Sequence, residues 1–454
     1  MALNDILKNL PEVKSPLEKR LSFNVKLKWT LIILVAYFIL AHIAIYGADP
    51  GFLEQFEFLA VIIGTDFGSI ISLGIGPIVM ASIILQLLVG SQILQIDTSS
   101  VEGRRFFQGL QKLLVFFFII FESIIYVIMG GIKAAPGFQF IVIFQLILGG
   151  LAILFMDEVC HKWGFGSGVS LFIAAGVGWR LIVASFGFIG TEGNFQASGQ
   201  VIAFILSLIN ADSKGALLAA SAIIATIVLF LIVVWAQSLK IEIPLSYDRL
   251  RGYSLKWPLQ FFYASVIPVI LTSALIANIQ LFGGLLQNWL GKPTFLGSIV
   301  NGQPESGFLY WISSTNIVER IIQGSWEWFL LIQTLGHIIF YMFFAALFSV
   351  FWVKTSGMDA SAQAQNILKS GLQIPGFRKD QRILESILER YVMPLAVMGG
   401  LAIGLLAALA DVMGALVGGT ALLLGIMITF QFYQSIVQQH AMDMNPALKK
   451  MMGA

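Results

Sequence analysis

The chain has 454 residues, 57% of them hydrophobic and only 11% charged, with a formal net charge of +2, and its mean hydropathy is +0.86. That balance excludes an ordinary soluble domain and places the chain among polytopic helical membrane proteins. A single cysteine, Cys160, excludes an intramolecular disulfide and any cysteine-built metal site, and His42, His161, His337 and His440 have no ligand spacing, so neither metal nor cofactor is expected.

Residues 1–28 form a mostly polar N-terminal segment without a small-x-small cleavage pattern, so no cleavable signal peptide is expected. Within it, Leu3, Ile6, Leu7 and Leu10 share one helical face that Pro11 stops. This is the pattern of an amphipathic helix lying on a membrane surface or on neighbouring loops.

Ten apolar segments follow, long enough to span a bilayer. They are Trp29–Tyr46, Ile70–Leu94, Lys112–Ile132, Phe138–Phe155, Ser167–Ile189, Ala216–Leu239, Pro258–Phe282, Trp328–Val353, Tyr391–Ala410 and Gly414–Val437. The second carries a helix breaker, Gly74-Ile75-Gly76-Pro77, and is preceded by Phe52–Ile63, an apolar piece too short to cross. Broken and re-entrant pieces persist at membrane depth only when buried in protein or lining a watery cavity, so this region reads as the wall of a pathway.

Charge orients the segments. With the N-terminus in the cytoplasm, 22 of the 27 Lys and Arg fall on the cytoplasmic side, leaving Lys133, Arg180, Lys214, Lys292 and Arg320 on or near the other. Both termini, including the tail 438–454, are then cytoplasmic. Two cytoplasmic loops, 240–257 and 354–390, are polar and basic, whereas the outer loop Gly283–Glu327 is neutral to slightly acidic. Trp326, Trp328 and Trp352 sit where interfacial aromatic belts belong. Asp411 ends a helix and is expected to face the outer interface, and His42 and His337 read as structural.

A faint internal repeat sets IGPIVMASIIL (Ile75–Leu85) on IPVILTSALI (Ile267–Ile276), with Pro77 on Pro268 and Val79 on Ile270. Each lies in the second segment of a five-segment half, 29–190 and 191–437. Five is odd, so the halves are inverted, and inverted repeats put a pathway at their interface. A secondary transporter shares these features and is the alternative reading. It needs charge at the midplane, and apart from Glu122 the spans offer almost none. No Ser/His pair, paired aspartates, HExxH or nucleotide-binding loop occurs inside the spans, so an enzyme is not expected.

The chain resembles the SecY/Sec61α family, pore subunits of the protein-conducting channel, in its archaeal form. The likeness runs in order through KLKWT (Lys26–Thr30), GIGPIV…ILQLLVGS (Gly74–Ser91), FQGLQKLL (Phe107–Leu114), MDEVCHKWGFGSGVSLFIAAGV (Met156–Val177), EIPL (Glu242–Leu245), IPVIL…ANIQL (Ile267–Leu281), GFRK (Gly376–Lys379) and GALVGGTALLL (Gly414–Leu424). The resemblance implies an all-α fold of ten transmembrane helices in two inverted five-helix halves around an hourglass pore, with a re-entrant plug helix at about 52–67. It implies a passive channel, driven by a ribosome or other partner, that passes unfolded secretory chains and releases transmembrane segments sideways into lipid.

The same resemblance supplies site residues. The pore ring would be Ile75, Val79, Val169, Ile173, Ile270 and Leu424, stiff apolar side chains that gate small solutes by dewetting. The plug would include Phe56, Phe58, Leu59, Ile62 and Ile63, with Gly64 as a hinge. A lateral gate would involve Glu122 and Asn278 with Met80, where relatives often carry Thr; Gln86 is the substitute the sequence offers. Arg249, Arg251, Lys256, Arg378, Lys379 and Arg382 would dock ribosomal RNA, a dense phosphate surface. Implied partners are SecE/Sec61γ-type and Sec61β-type small membrane subunits, the ribosome, signal-peptide-bearing nascent chains and the lipid bilayer. The implied location is the cell membrane, with the endoplasmic reticulum membrane as the alternative.

Overall fold

A computed structural model describes residues 10–18, 21–49, 68–96, 100–188, 199–247, 254–300, 303–369, 372–373 and 380–444. The expected plug and its six named residues, the surface helix at 1–10 apart from Leu10, and the tail beyond 444 lie outside these.

The protein is an all-α polytopic membrane protein. Its helices in chain order are α1 (Phe23–Ala41), α2 (Gly76–Gly90), α3 (Val101–Ile128), α4 (Gln139–Trp163), α5 (Gly168–Phe186), α6 (Gln200–Ile209), α7 (Ser213–Gln237), α8 (Ile267–Leu290), α9 (Gly307–Ile312), α10 (Ile317–Gln323), α11 (Trp328–Thr355), α12 (Ala360–Lys369), α13 (Gln381–Met413) and α14 (Gly419–Met444). Among the described residues, α1, α3, α4, α5, α7, α8, α11, α13 and α14 are long and apolar enough to cross a membrane. Most turn large apolar side chains outward, as α7 does with Leu217, Ile224, Phe230 and Leu231, which is the surface that lipid covers. In contrast, α8 is buried along most of its length and forms the centre of the bundle.

The second segment is broken as its glycines and proline predict. Residues 68–75 run as turns and the helix starts only at Gly76, with Pro77 in its first turn, where the missing N–H costs nothing. The irregular stretch is enclosed: Ile71, Ser72 and Leu73 are fully buried. Its backbone is paired, Ile45 N–H donating to Gly68 O (2.9 Å) and Ile70 N–H to Ile43 O (2.9 Å).

The repeat is geometric as well as sequential. In front of α8 the chain again turns, at 261–266, and Pro268 opens the helix. Seven residues before each proline stand Ile70 and Phe261, whose carbonyls meet glycines of α4 and α13. A Cβ on Gly149 would lie 1.9 Å from Ile70 O, and one on Gly399 2.5 Å from Phe261 O. The next glycine in each pair, Gly150 or Gly400, presses on the third long helix of its half: Ile119 of α3 or Ala346 and Ser349 of α11. These four contacts use the same parts in both halves.

The start of α1 and the end of α14 meet, which puts them at one face of the bundle. Lys26 Nζ donates to Gln439 Oε1 (3.0 Å), and Gln439 Nε2 to Leu21 O (3.1 Å). At the same face the basic loops are structured. β3 (Lys240–Tyr247) and β4 (Ser254–Gln260) form an antiparallel hairpin, and β7 (Leu372–Gln373) adds to β3 through Ser246↔Gln373 and Tyr247↔Leu372. Loops expected to be separate therefore share one three-stranded sheet. The other strands are short: β1 (Ala48–Asp49) with β2 (Lys133–Ala134), and β5 (Ser298–Val300) with β6 (Gln303–Ser306).

Several boundaries differ from expectation, among them the third span, which begins at Val101 rather than Lys112, and the fourth, which runs on to Trp163. The seventh span begins at Ile267, not Pro258, because Pro258–Gln260 belong to β4 and the chain turns through Ser265 (φ 61°) before entering the helix. The ninth begins at Gln381, inside the expected loop, capped by Asp380, and it carries Pro394 in its interior. The expected loop 354–390 also holds α12.

Candidate functional site

The six residues expected to ring a pore come from four helices. Ile75 precedes α2 and Val79 lies on it, Val169 and Ile173 lie on α5, Ile270 on α8 and Leu424 on α14. Five are buried, between 0% and 5% exposed, within one continuous apolar cluster, and the half-buried Val169 packs against that cluster. The helices that carry them are paired: α2 lies beside α8, and α5 beside α14. The α5–α14 contact is close, a Cβ on Gly425 falling 2.6 Å from Val177 Cγ1.

Two aspartates, Asp157 six residues before the end of α4 and Asp411 in the last turn of α13, seat α5 and α14. Val169 N–H donates to Asp157 Oδ1 of α4 (2.9 Å), and Ser167 Oγ accepts from Ser170 N–H (3.3 Å). Thr420 N–H donates to Asp411 Oδ1 of α13 (2.5 Å), and Thr420 Oγ1 also bonds Asp411. Orphan N–H groups of a helix start are thereby satisfied, and the negative charge sits at the positive end of the helix dipole. Asp411 was expected at the outer interface; its side chain is instead only 14% exposed and turned into the bundle, with His337 Nε2 3.5 Å away. His337 is structural as expected, its Nδ1 lying 2.7 Å from Ile312 O. Beside it Tyr341 Oη meets Ser273 Oγ of α8 at 2.5 Å.

The seam between α2–α3 and α8–α11 is closed. At one end a Cβ on Gly90 of α2 would lie 2.5 Å from the Phe351 ring of α11. Toward the other, Asn288 Nδ2 of α8 donates to Met129 O just past α3 (2.9 Å). The polar residues expected at a gate are buried: Gln86, Glu122 and Asn278 are 1–4% exposed, and Met80 is half-buried. They do not hydrogen-bond one another. Asn278 Nδ2 turns back to Ala274 O of its own helix (2.8 Å). Gln86 Oε1, both Glu122 oxygens and Gln280 Oε1 have no hydrogen-bond partner among the described residues. Gln280, two residues beyond Asn278 and so on another face of α8, is a buried polar residue the sequence reading missed.

A second set missed in the sequence sits in MDEVCHKW. Glu158 bonds Lys112 of α3 and accepts from Val13 N–H (3.0 Å). Lys162 bonds Glu12 and Val13 O (2.6 Å), and Trp163 Nε1 donates to Lys14 O (3.0 Å). The Lys162 ammonium holds the Glu12 carboxyl below its ordinary range. The signal was the density of charge at one helix end, where only pairing makes such residues tolerable.

Of the expected docking residues, Arg249, Arg251, Arg378 and Lys379 lie outside the described residues. Lys256 stands on β4 opposite Pro244, and Arg382 is exposed in the first turn of α13.

Together these features define a polytopic helical protein with an apolar centre held between two inverted, similarly built halves. The chain belongs to the SecY family: the SecY family model matches residues 69–433. A relative from Methanothermobacter thermautotrophicus, named protein translocase subunit SecY, is 43% identical over 451 residues, 98% of this chain and 97% of the relative. A solved chain described as the structure of a protein conducting channel is 37% identical, with a TM-score of 0.83, covering 98% of this chain and 99% of that one. A canine Sec61, solved in a ribosome-channel complex from the endoplasmic reticulum, is 36% identical with a TM-score of 0.80, over 98% and 99% of the two chains.

Removing one member of the α3–α4 ion pair tests the scaffold. Lys112→Met leaves the enclosed Glu158 carboxylate with Val13 N–H alone and is expected to cost about 1–3 kcal/mol. The thermal unfolding midpoint of the purified protein should fall, and the double variant Lys112→Met/Glu158→Met should recover part of the loss. An unchanged midpoint in the single variant would remove this role.

Proposed function

We propose that the chain is the central subunit of a protein-conducting channel, passing unfolded secretory polypeptides across the membrane and releasing transmembrane segments laterally into lipid. The observation that carries this reading is the apolar cluster common to α2, α5, α8 and α14, in a chain of the SecY family. A ring of Ile75, Val79, Val169, Ile173, Ile270 and Leu424 makes no polar contacts. It resists ions and water by dewetting, yet it widens around any polypeptide because it reads no sequence. The secondary-transporter alternative gains nothing from the comparisons.

The halves, 29–190 and 191–437, part along the seam. The unpartnered polar atoms of Gln86 and Glu122 leave about 1–3 kcal/mol each unrecovered in the closed state, which favours a seam that opens under modest load. Met80 and Asn278 complete this gate, and a plug at about 52–67 blocks the idle pore. The chain has no nucleotide-binding loop, so the driving force comes from a partner. The canine relative's ribosome-channel complex supports a ribosome. It docks on the face carrying the β3–β4–β7 sheet, through Arg249, Arg251, Lys256, Arg378, Lys379 and Arg382. Small SecE/Sec61γ-type and Sec61β-type subunits cover part of the outward apolar surface. The protein resides in the cell membrane with both termini cytoplasmic.

Two measurements test this. In proteoliposomes, Val79→Gly/Ile270→Gly should raise ion conductance of the idle channel about tenfold or more, by removing part of a dewetted constriction; wild-type conductance would exclude the ring. Charge reversal at Arg378 and Lys379 should weaken ribosome binding and flatten its salt dependence, since fewer phosphates are neutralised. Binding that matches wild type across salt would remove that docking role.

A further inference from the structure

The two aspartate contacts are of the same kind, a carboxylate of one helix accepting from a first-turn N–H of the next, and they fall in opposite halves and at opposite faces of the bundle. Asp157, six residues before the end of α4, binds the first turn of α5; Asp411, in the last turn of α13, binds the first turn of α14. Each helix start carries a glycine that lets the neighbour come close. A Cβ on Gly168 would lie 2.6 Å from Asp157 Cα, and one on Gly419 1.8 Å from the Ala410 carbonyl carbon. Five residues beyond each glycine stands a member of the apolar ring, Ile173 after Gly168 and Leu424 after Gly419. Five residues is about one and a half helical turns, or about 7.5 Å of rise, so a slip at the helix start is carried undamped to the ring.

We propose that Asp157 and Asp411 are a matched pair of positioning residues that fix the axial seating of α5 and α14, and with it the height of Ile173 and Leu424 in the constriction. The pair rests on the ring reading given above. Its chemistry is a short, charge-assisted acceptor aimed at backbone N–H groups that no turn of the same helix can satisfy. The two locks work at opposite ends of antiparallel helices, so release of either slides one half of the constriction past the other. A lateral opening that keeps both locks intact moves α5 and α14 as rigid parts of their halves.

The test uses the full channel complex in proteoliposomes. Asp157→Ala and Asp411→Ala should each raise idle ion leak severalfold. They should also speed amide hydrogen exchange about tenfold at residues 168–172 and 419–423 respectively, the cost of a lost helix cap. Asp157→Asn and Asp411→Asn keep the acceptor oxygen and should leak like wild type. Asp157→Glu and Asp411→Glu keep the charge but displace the acceptor by one methylene, and should leak like Ala; these serve if an Ala variant fails to assemble. Ile270→Gly is the control. If it leaks while the Ala and Glu variants stay tight, the locks are overturned and the ring stands. If it does not leak, the ring reading falls and the positioning role falls with it. Unchanged exchange at both helix starts overturns the locks irrespective of the ring.

Discussion

The architecture depends on the rule that backbone polar groups inside a bilayer must be satisfied within the protein. Helix α2 has only 15 residues, about 22 Å at 1.5 Å per residue, short of the roughly 30 Å hydrocarbon core. Residues 68–75 must make up the depth as turns, and such backbone is stable only when wrapped. It is wrapped: the stretch is buried, pairs with 43–45, and is pressed by Gly149 of α4. The same solution recurs at 261–266 with Gly399 of α13. Each half is therefore a shell built around one helix that is entered through turns and a proline, and these two helices, α2 and α8, lie side by side at the centre.

A conduit for arbitrary polypeptides has conflicting demands. It must seal without recognising, and open without unfolding. An apolar centre answers the first. For the second, stability is distributed unevenly. The α4 end is tied by Asp157, Glu158, Lys162 and Trp163, and the α13 end by Asp411, so the halves are firm where helices are seated. By contrast, Gln86 and Glu122, the residues expected at the seam, keep buried oxygens without partners among the described residues.

Much of this could be read from residues in order. Composition gave the membrane class, Gly74–Pro77 located the break, and the alignment of Pro77 with Pro268 identified the repeat that the glycine contacts of α4 and α13 then bear out in space. The missing parts were those that depend on partners distant in sequence. Asp157 and Asp411 look like ordinary charges at helix ends until Val169 and Thr420 are seen to donate to them. The β3–β4–β7 sheet joins segments more than a hundred residues apart, which no local pattern announces. Pro258 looked like the start of a span because the apolar run continues through it, whereas sheet pairing with Glu242 claims it first. The polar residues expected at the gate are not hydrogen-bonded to one another: Asn278 bonds its own helix, and Met80, as its side chain already implied, offers no hydroxyl.

The central claim is that a polypeptide passes through the ring. Disulfide crosslinking tests it most directly, with Cys160 replaced by Ser, a single cysteine at Val79, and a partner cysteine walked along a ribosome-tethered nascent chain in membrane vesicles. The account predicts crosslinks confined to nascent-chain positions at mid-membrane depth. No crosslink at Val79, with a control cysteine at an exposed basic-face position such as Arg382 still reacting, would mean that the chain docks here but crosses elsewhere, contradicting the account.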